Sequence, residues 1–188
     1  MERKGWVLRG IKNPETIAAH TFRTTLMSLV LCCDKKIDRD KVIKMALVHD
    51  LCEVYAGDTT PYDTVLPKNK KEQKKIFDKW VRLSKEEKEN FFRKKYKKEN
   101  EGLKKLVSKL PSSTRSEIRN LWNDYEKGLS PEGRFVRQLD RMENLLQALE
   151  YQKAGEKINV WPWWVQAEEL IDNPILLRLL DNLEKKFC

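Results

Sequence analysis

Only two histidines occur in the 188 residues, His20 and His49, and both fall in segments whose apolar neighbours predict burial. His49 is followed directly by Asp50, and Glu53 stands four residues beyond His49, so an imidazole and two carboxylates crowd successive turns of one helix expected to face inward. Asp140, beside Leu139 in Gln138-Leu139-Asp140-Arg141, adds a further acid on a segment expected in the core. Buried carboxylates need partners, and an arginine, a hydrogen-bond network or a divalent cation can each satisfy them. In the last case, two imidazoles and two carboxylates make a mixed nitrogen and oxygen site. Such a site suits manganese, cobalt, iron, nickel or zinc better than calcium or a thiolate-bound structural zinc, and its open positions would hold water. The competing reading is a satisfied core His49 paired to a neighbouring acid, with His20 merely packed.

Helices must carry these side chains. Gly and Pro number 7 each and cluster between apolar-periodic segments, while alternating strand patterns are absent. The expectation is an all-α fold, one helical bundle forming a single domain over 1–188. Asn13-Pro14 reads as a helix start, after which Phe22, Leu26, Leu29 and Cys33 mark the apolar face of a helix ending near Asp34. Asp40 reads as the cap of the next helix, with Val42, Ala46, His49 and Glu53 at helical spacing until Gly57 stops it. Asp58-Thr59-Thr60-Pro61 is turn chemistry at that helix end. From Lys68 to Asn100 the pattern is helical, with Ile76, Trp80 and Leu83 as a narrow stripe and Phe91-Phe92 as a second cluster. Further helices are expected over 103–110, 113–127 and 131–153, and from near Pro162 and Pro174.

The formal charge of +9 is concentrated: between Lys68 and Lys109, 17 basic residues face 7 acidic ones, so the rest of the chain is nearly neutral. No aromatic ladder or nucleic-acid module accompanies the lysines, which reads as a solvated helical protrusion rather than a groove for a nucleic-acid partner. No apolar run reaches the length of a membrane span or of a secretory signal, and Cys32-Cys33, Cys52 and Cys188 match neither a zinc knuckle nor a disulfide framework. A cytoplasmic protein with reduced thiols is expected.

Several blocks together resemble a known family, the HD-domain phosphohydrolases, and within it the branch of small 5'-nucleotidases and 5'-deoxynucleotidases. They are Gly5-Trp6-Val7-Leu8-Arg9, Asn13-Pro14-Glu15, His20-Thr21-Phe22-Arg23, Ala46-Leu47-Val48-His49-Asp50-Leu51-Cys52-Glu53, Gly57-Asp58-Thr59-Thr60-Pro61 and Phe135-Val136-Arg137-Gln138-Leu139-Asp140. In order and spacing they run over nearly the whole chain. The resemblance implies that His20, His49, Asp50 and Asp140 ligate a catalytic divalent metal (Mn, Co, Mg, Zn, Ni or Fe), with Glu53 and Asp58 beside it. Glu53 would take or orient the proton of the attacking water, and Asp58 would assist the leaving oxygen or bind a further ion. It also implies that Trp6 packs against sugar or base, where the residues alone equally allow an ordinary buried anchor, and that Thr59, Thr60 and Pro61 line the substrate. Arg9 and Arg23 are read either as phosphate contacts or as partners of Asp50 and Asp140. A homodimer follows from the same resemblance.

Two departures stand out. Some members of the family carry a basic residue just before the tryptophan to orient phosphate, where this chain has Gly5, and the segment from about Lys70 to Arg93 reads as a charged helical insertion. The expected reaction is hydrolysis of (deoxy)nucleoside 5'-monophosphates. The alternatives are a phosphodiesterase or a nucleoside triphosphate or alarmone hydrolase on the same fold, and a non-catalytic adaptor using the basic surface.

Overall fold

The longest helix of the computed structural model, α8 (Pro131–Lys153), begins where Ser130 accepts the Gly133 N–H and Pro131 takes the first turn. The structure describes residues 1–34, 36–67, 69–77 and 82–187. Phe135, Val136, Leu139, Met142, Leu145 and Leu149 of α8 are buried and form the spine of the core. Around it pack α2 (Ile17–Leu31), α3 (Arg39–Val48), α7 (Ser112–Lys127), α9 (Trp161–Leu170) and α10 (Pro174–Phe187). Short α1 (Lys4–Leu8) and α4 (Glu53–Ala56), with α5 (Lys70–Phe77) and α6 (Lys85–Leu106), complete the all-α bundle. Among the described residues there is no strand beyond an isolated bridge between Glu2 and Thr16, and no helix is long and apolar enough to cross a membrane.

Two helices differ from their sequence patterns in ways that matter to the site. α2 starts at a Thr16 cap, whose hydroxyl accepts the Ala19 N–H, rather than at Asn13-Pro14. It also turns its other face inward: His20, Thr24 and Ser28 are buried, whereas Phe22 is 69% exposed and Leu26, Leu29 and Cys33 are exposed with it. His20 of this stripe meets Asp140 and Glu143 of α8, while the Ser28 O–H donates to the Thr24 carbonyl within its own helix. The second difference is that the expected continuous helix through His49 and Glu53 is broken. The His49 Nδ1–H donates to the Ala46 carbonyl, the acceptor that Asp50 N–H would use in an unbroken helix. The chain then tightens through Leu51 N–H to Val48 and Glu53 N–H to Asp50 before α4 begins.

The charged region holds α5 and α6, and Arg93, near which the expected insertion ends, lies inside α6. Ser84 and Glu87 form a capping box that starts α6, which then runs unbroken to Leu106. Trp80 lies outside the described residues; Phe91 is buried and Phe92 exposed. The far half of α6 packs under α4 through Gly102, where an added Cβ would stand 2.8 Å from the Cys52 carbonyl oxygen and 3.2 Å from the Ala56 nitrogen. This close approach holds α4, and with it Glu53, against the bundle. Gly102→Ala should therefore destabilise the fold by about 1–3 kcal/mol through overpacking. Urea denaturation measures this, and an unchanged midpoint would show that α6 does not brace α4.

Candidate metal centre

The break after α3 and the inward face of α2 bring four ligand atoms together at α8. His20 Nε2 lies 3.2 Å from His49 Nε2, 3.3 Å from Asp140 Oδ1 and 3.6 Å from Asp50 Oδ2, and His49 Nε2 lies 3.3 Å from Asp50 Oδ2. His20 and His49 are almost fully buried. Each imidazole has its other nitrogen engaged: His49 Nδ1–H donates to Ala46 O at 2.6 Å, and His20 Nδ1–H to Glu143 Oε2 at 2.5 Å. A neutral imidazole with its proton on Nδ1 presents a bare lone pair on Nε2. Two such lone pairs and two carboxylate oxygens then face one another, an arrangement that is repulsive unless a cation stands among them.

The donor set and spacing fit a divalent metal. With ligand atoms about 2.0–2.2 Å from an ion, neighbouring donors lie roughly 3.0–3.6 Å apart, which is the spacing of His20 from the other three; the donor atoms of His20, His49 and Asp140 all lie within 4.8 Å of one another, and Asp50 joins them through its contacts with the two imidazoles. The same demand for positive charge shows in the protonation of His20 itself, whose Nε2–H can stand in for a cation toward Asp140. Burial and Arg3 oppose a charge on His20, yet hydrogen bonds to Asp140 and Glu143 prevail and push its pKa up to about 10. Burial would raise Asp50 and Asp140, but His49, Arg3 and His20 hold Asp50 down, and Arg141 and His20 hold Asp140 down. Asp140 is oriented by Tyr125 O–H, which donates to Oδ2 at 3.0 Å, and by Asn144 Nδ2, which donates to Oδ1 at 2.9 Å.

Glu53 stands at the start of α4, buried, with Oε2 lacking a hydrogen-bond partner. Burial first, then the charges of Asp50 and Asp58, pushes its carboxyl up to about 9. A carboxylate so placed is a strong base. Gly57, at φ +72°, ends α4 in a conformation that L-residues rarely adopt and turns the chain into Asp58. Asp58 Oδ2 accepts Lys4 N–H at 2.7 Å, so the loop is tied to the amino-terminal segment. Thr60 O–H donates to Asp63 at 3.0 Å, Thr59 O–H to the Gly57 carbonyl at 3.4 Å, and Pro61 opens a short 3-10 helix, Pro61–Thr64. Both threonine hydroxyls thus serve the loop itself.

Three expected substrate residues are placed elsewhere. Trp6 is 2% exposed, stacked on Trp163 at 5.0 Å and edge-on to Tyr151, so it anchors α1 rather than offering a ring to a ligand. Arg9 is enclosed by the rings of Tyr62, Phe77 and Trp163 and donates to Tyr62 Oη and Gly5 O. Arg23 braces Glu143, Glu150 and Gln147 rather than Asp50 or Asp140. Three partners escaped sequence reasoning. Glu143 and Asn144 lie one turn beyond Asp140 on the same inward face, a signal available in principle, since a buried acid there needs a reason. Arg3, at the amino-terminal edge of α1, reaches Asp50 and Asn144, and nothing local in the sequence announces it. Because Glu143 fixes the His20 tautomer, Glu143→Gln should weaken manganese or cobalt binding about 10–100-fold, read by calorimetry. Unchanged affinity would remove Glu143 from the site.

Residues 1–162 match the family model described as HD domain. The chain is 31% identical over 183 residues to the human 5'-deoxynucleotidase HDDC2, covering 97% of this chain and 77% of that protein. It is also 31% identical over 188 residues to the 5'-deoxynucleotidase hdd1 of Schizosaccharomyces pombe, covering 96% and 80%. Among solved structures, a conserved hypothetical protein from Pyrococcus furiosus superposes with a TM-score of 0.69 at 25% identity, over 98% of this chain and 91% of that one. A protein predicted as a metal-dependent phosphohydrolase from Magnetospirillum magnetotacticum shares the fold, with a TM-score of 0.64 at 21% identity over 98% and 83%. With its buried two-histidine, two-aspartate centre and a match over most of its length, the chain belongs to the HD-domain family of metal-dependent phosphohydrolases.

Proposed function

We propose that this chain hydrolyses nucleoside 5'-monophosphates, with deoxy forms preferred, to nucleoside and inorganic phosphate. The observation that carries the reading is the gathering of His20, His49, Asp50 and Asp140 beside the buried Glu53, whose Oε2 has no hydrogen-bond partner. The naming of relatives such as human HDDC2 as 5'-deoxynucleotidases supports the substrate class. A divalent ion held by those four residues (manganese, cobalt, magnesium, zinc, nickel or iron) would supply Lewis acidity toward a phosphoryl oxygen and acidify water. Glu53 takes the proton of the attacking water as the new P–O bond forms and the bond to the 5' oxygen breaks. Asp58, held by Lys4 N–H, stands across Arg3 from Asp50, where it assists protonation of the leaving oxygen or holds a further ion. Thr59, Thr60 and Pro61 shape the loop that presents Asp58.

We also read the exposed α2 stripe of Phe22, Leu26, Leu29 and Val30 as the face of a homodimer. Arg23 is the only acidic or basic residue of α2 other than the buried His20, and it is already paired with Glu143 and Glu150. In a chain of +9 this is a face where like-charged copies approach with little repulsion. Unpaired Cys32, Cys33 and Cys52 suit a reducing, cytoplasmic setting.

The test is metal-stripped protein re-supplied with manganese, cobalt, magnesium or zinc and offered ribo- and deoxyribonucleoside 5'-monophosphates. Phosphate release is expected, and Glu53→Gln should lower kcat by about 10²–10⁴-fold while the bound metal is retained. Release of pyrophosphate from triphosphates instead, or no release with any metal, would contradict the reading. Light scattering should show a dimer that Phe22→Glu with Leu26→Glu converts to a monomer; a monomeric wild type would contradict the dimer.

A further inference from the structure

α6 is not a free arm. Phe91, Glu99, Gly102 and Leu103 are buried, and its far half is seated under α4 and beside Trp122 of α7. What it turns outward is a set of three dibasic pairs, Arg93-Lys94, Lys97-Lys98 and Lys104-Lys105, all exposed. At about 100° per residue, Arg93, Lys97 and Lys104 fall in one row and Lys94, Lys98 and Lys105 in a second, roughly 100° further round the helix. Glu101, between the rows, is the one acidic side chain on that face from Arg93 to Lys105. Among the described residues none of the six cations is in an ion pair: Arg93 donates to Asn90, and Lys105 lies over the Tyr55 ring at 4.3 Å. Lys95, which faces the bundle, is by contrast paired with Glu99 and Glu126.

We propose that this face of α6 binds the phosphodiester backbone of duplex nucleic acid without regard to base sequence. Charge density carries the argument. The six cations span about 18 Å of helix axis at 1.5 Å per residue. One strand of a duplex presents a phosphate about every 3.4 Å, hence roughly five over that length, so the charges meet nearly one for one. No aromatic side chain stands between the two rows on which the bases of a single strand could stack, whereas a duplex keeps its bases stacked and offers its backbone. No apolar side chain stands there to enter a lipid surface either; Phe92, exposed on α6, projects from roughly the opposite side of the helix. Because α6 is already seated on the bundle, the two rows are preformed and binding them costs no folding.

The test is fluorescence anisotropy of a labelled duplex of about 20 base pairs, longer than the rows. It is titrated with wild type, with a variant carrying Lys97→Gln, Lys98→Gln, Lys104→Gln and Lys105→Gln, and with a control carrying Lys36→Gln, Lys153→Gln, Lys157→Gln and Lys185→Gln. The control loses the same charge from exposed positions elsewhere. Wild type should bind at micromolar concentrations in about 50 mM salt, with log affinity falling against log salt at a slope steeper than about −3. The α6 variant should bind about 10-fold more weakly or worse and lose roughly half of that slope or more, while the control stays within about 2-fold of wild type. Thermal unfolding should be the same for all three proteins, since every substituted side chain is exposed. No binding by wild type at that salt, or equal weakening in the control, would overturn the proposal. So would tighter binding of a single strand of the same length, or binding of phosphatidylcholine vesicles with about 30% phosphatidylserine in place of the duplex.

Discussion

Four acceptor atoms pointed at one buried spot are the constraint around which this molecule is arranged. Two imidazole Nε2 atoms and two carboxylate oxygens within 3.2–3.6 Å of their neighbours repel one another strongly where water is excluded. The fold keeps them in place by engaging everything behind them. Ala46 and Glu143 hold the outer nitrogens of the histidines, Tyr125 and Asn144 hold Asp140, and Arg23 in turn holds Glu143. What remains unsatisfied faces inward, so the site is organised for a positive ion and for the anions that follow one.

That requirement explains the less regular parts of the structure. α2 turns Thr24 and Ser28 inward and leaves Phe22 and Leu26 outside because His20 has to meet α8. α3 breaks at His49 because the side chain that orients the ring takes a carbonyl from the backbone. Gly102 brings α6 beneath α4, and Gly57 turns the chain toward Asp58, so that Glu53 and Asp58 enter from one side while α8 supplies the other.

Much of this was legible in the sequence. The apolar period from Pro131 to Lys153 matches the limits of α8 to the residue, and the scarcity of histidine directs attention to the pair that the fold brings together. Faces and partners were harder. An apolar period identifies a helix but not which side is buried when another helix supplies charged partners, which is why Phe22 and Leu26 were placed inside. Trp6, Arg9 and Arg23 have types that suit a ligand, but long-range packing against Trp163, Tyr62 and Glu143 claims them instead. The threonines of the Asp58 loop are likewise taken up locally. Arg3 could not be read at all, because its place depends on how the first residues cross the start of α2.

X-ray absorption at the metal edge of cobalt- or zinc-loaded protein tests the centre most directly. The expected shell contains only nitrogen and oxygen, at about 2.0–2.2 Å, with the outer-ring scattering of two imidazoles, and it loses one imidazole in His49→Ala. A sulfur scatterer, which would draw in a thiol such as Cys52, or a shell without imidazole, would contradict the assignment of His20, His49, Asp50 and Asp140.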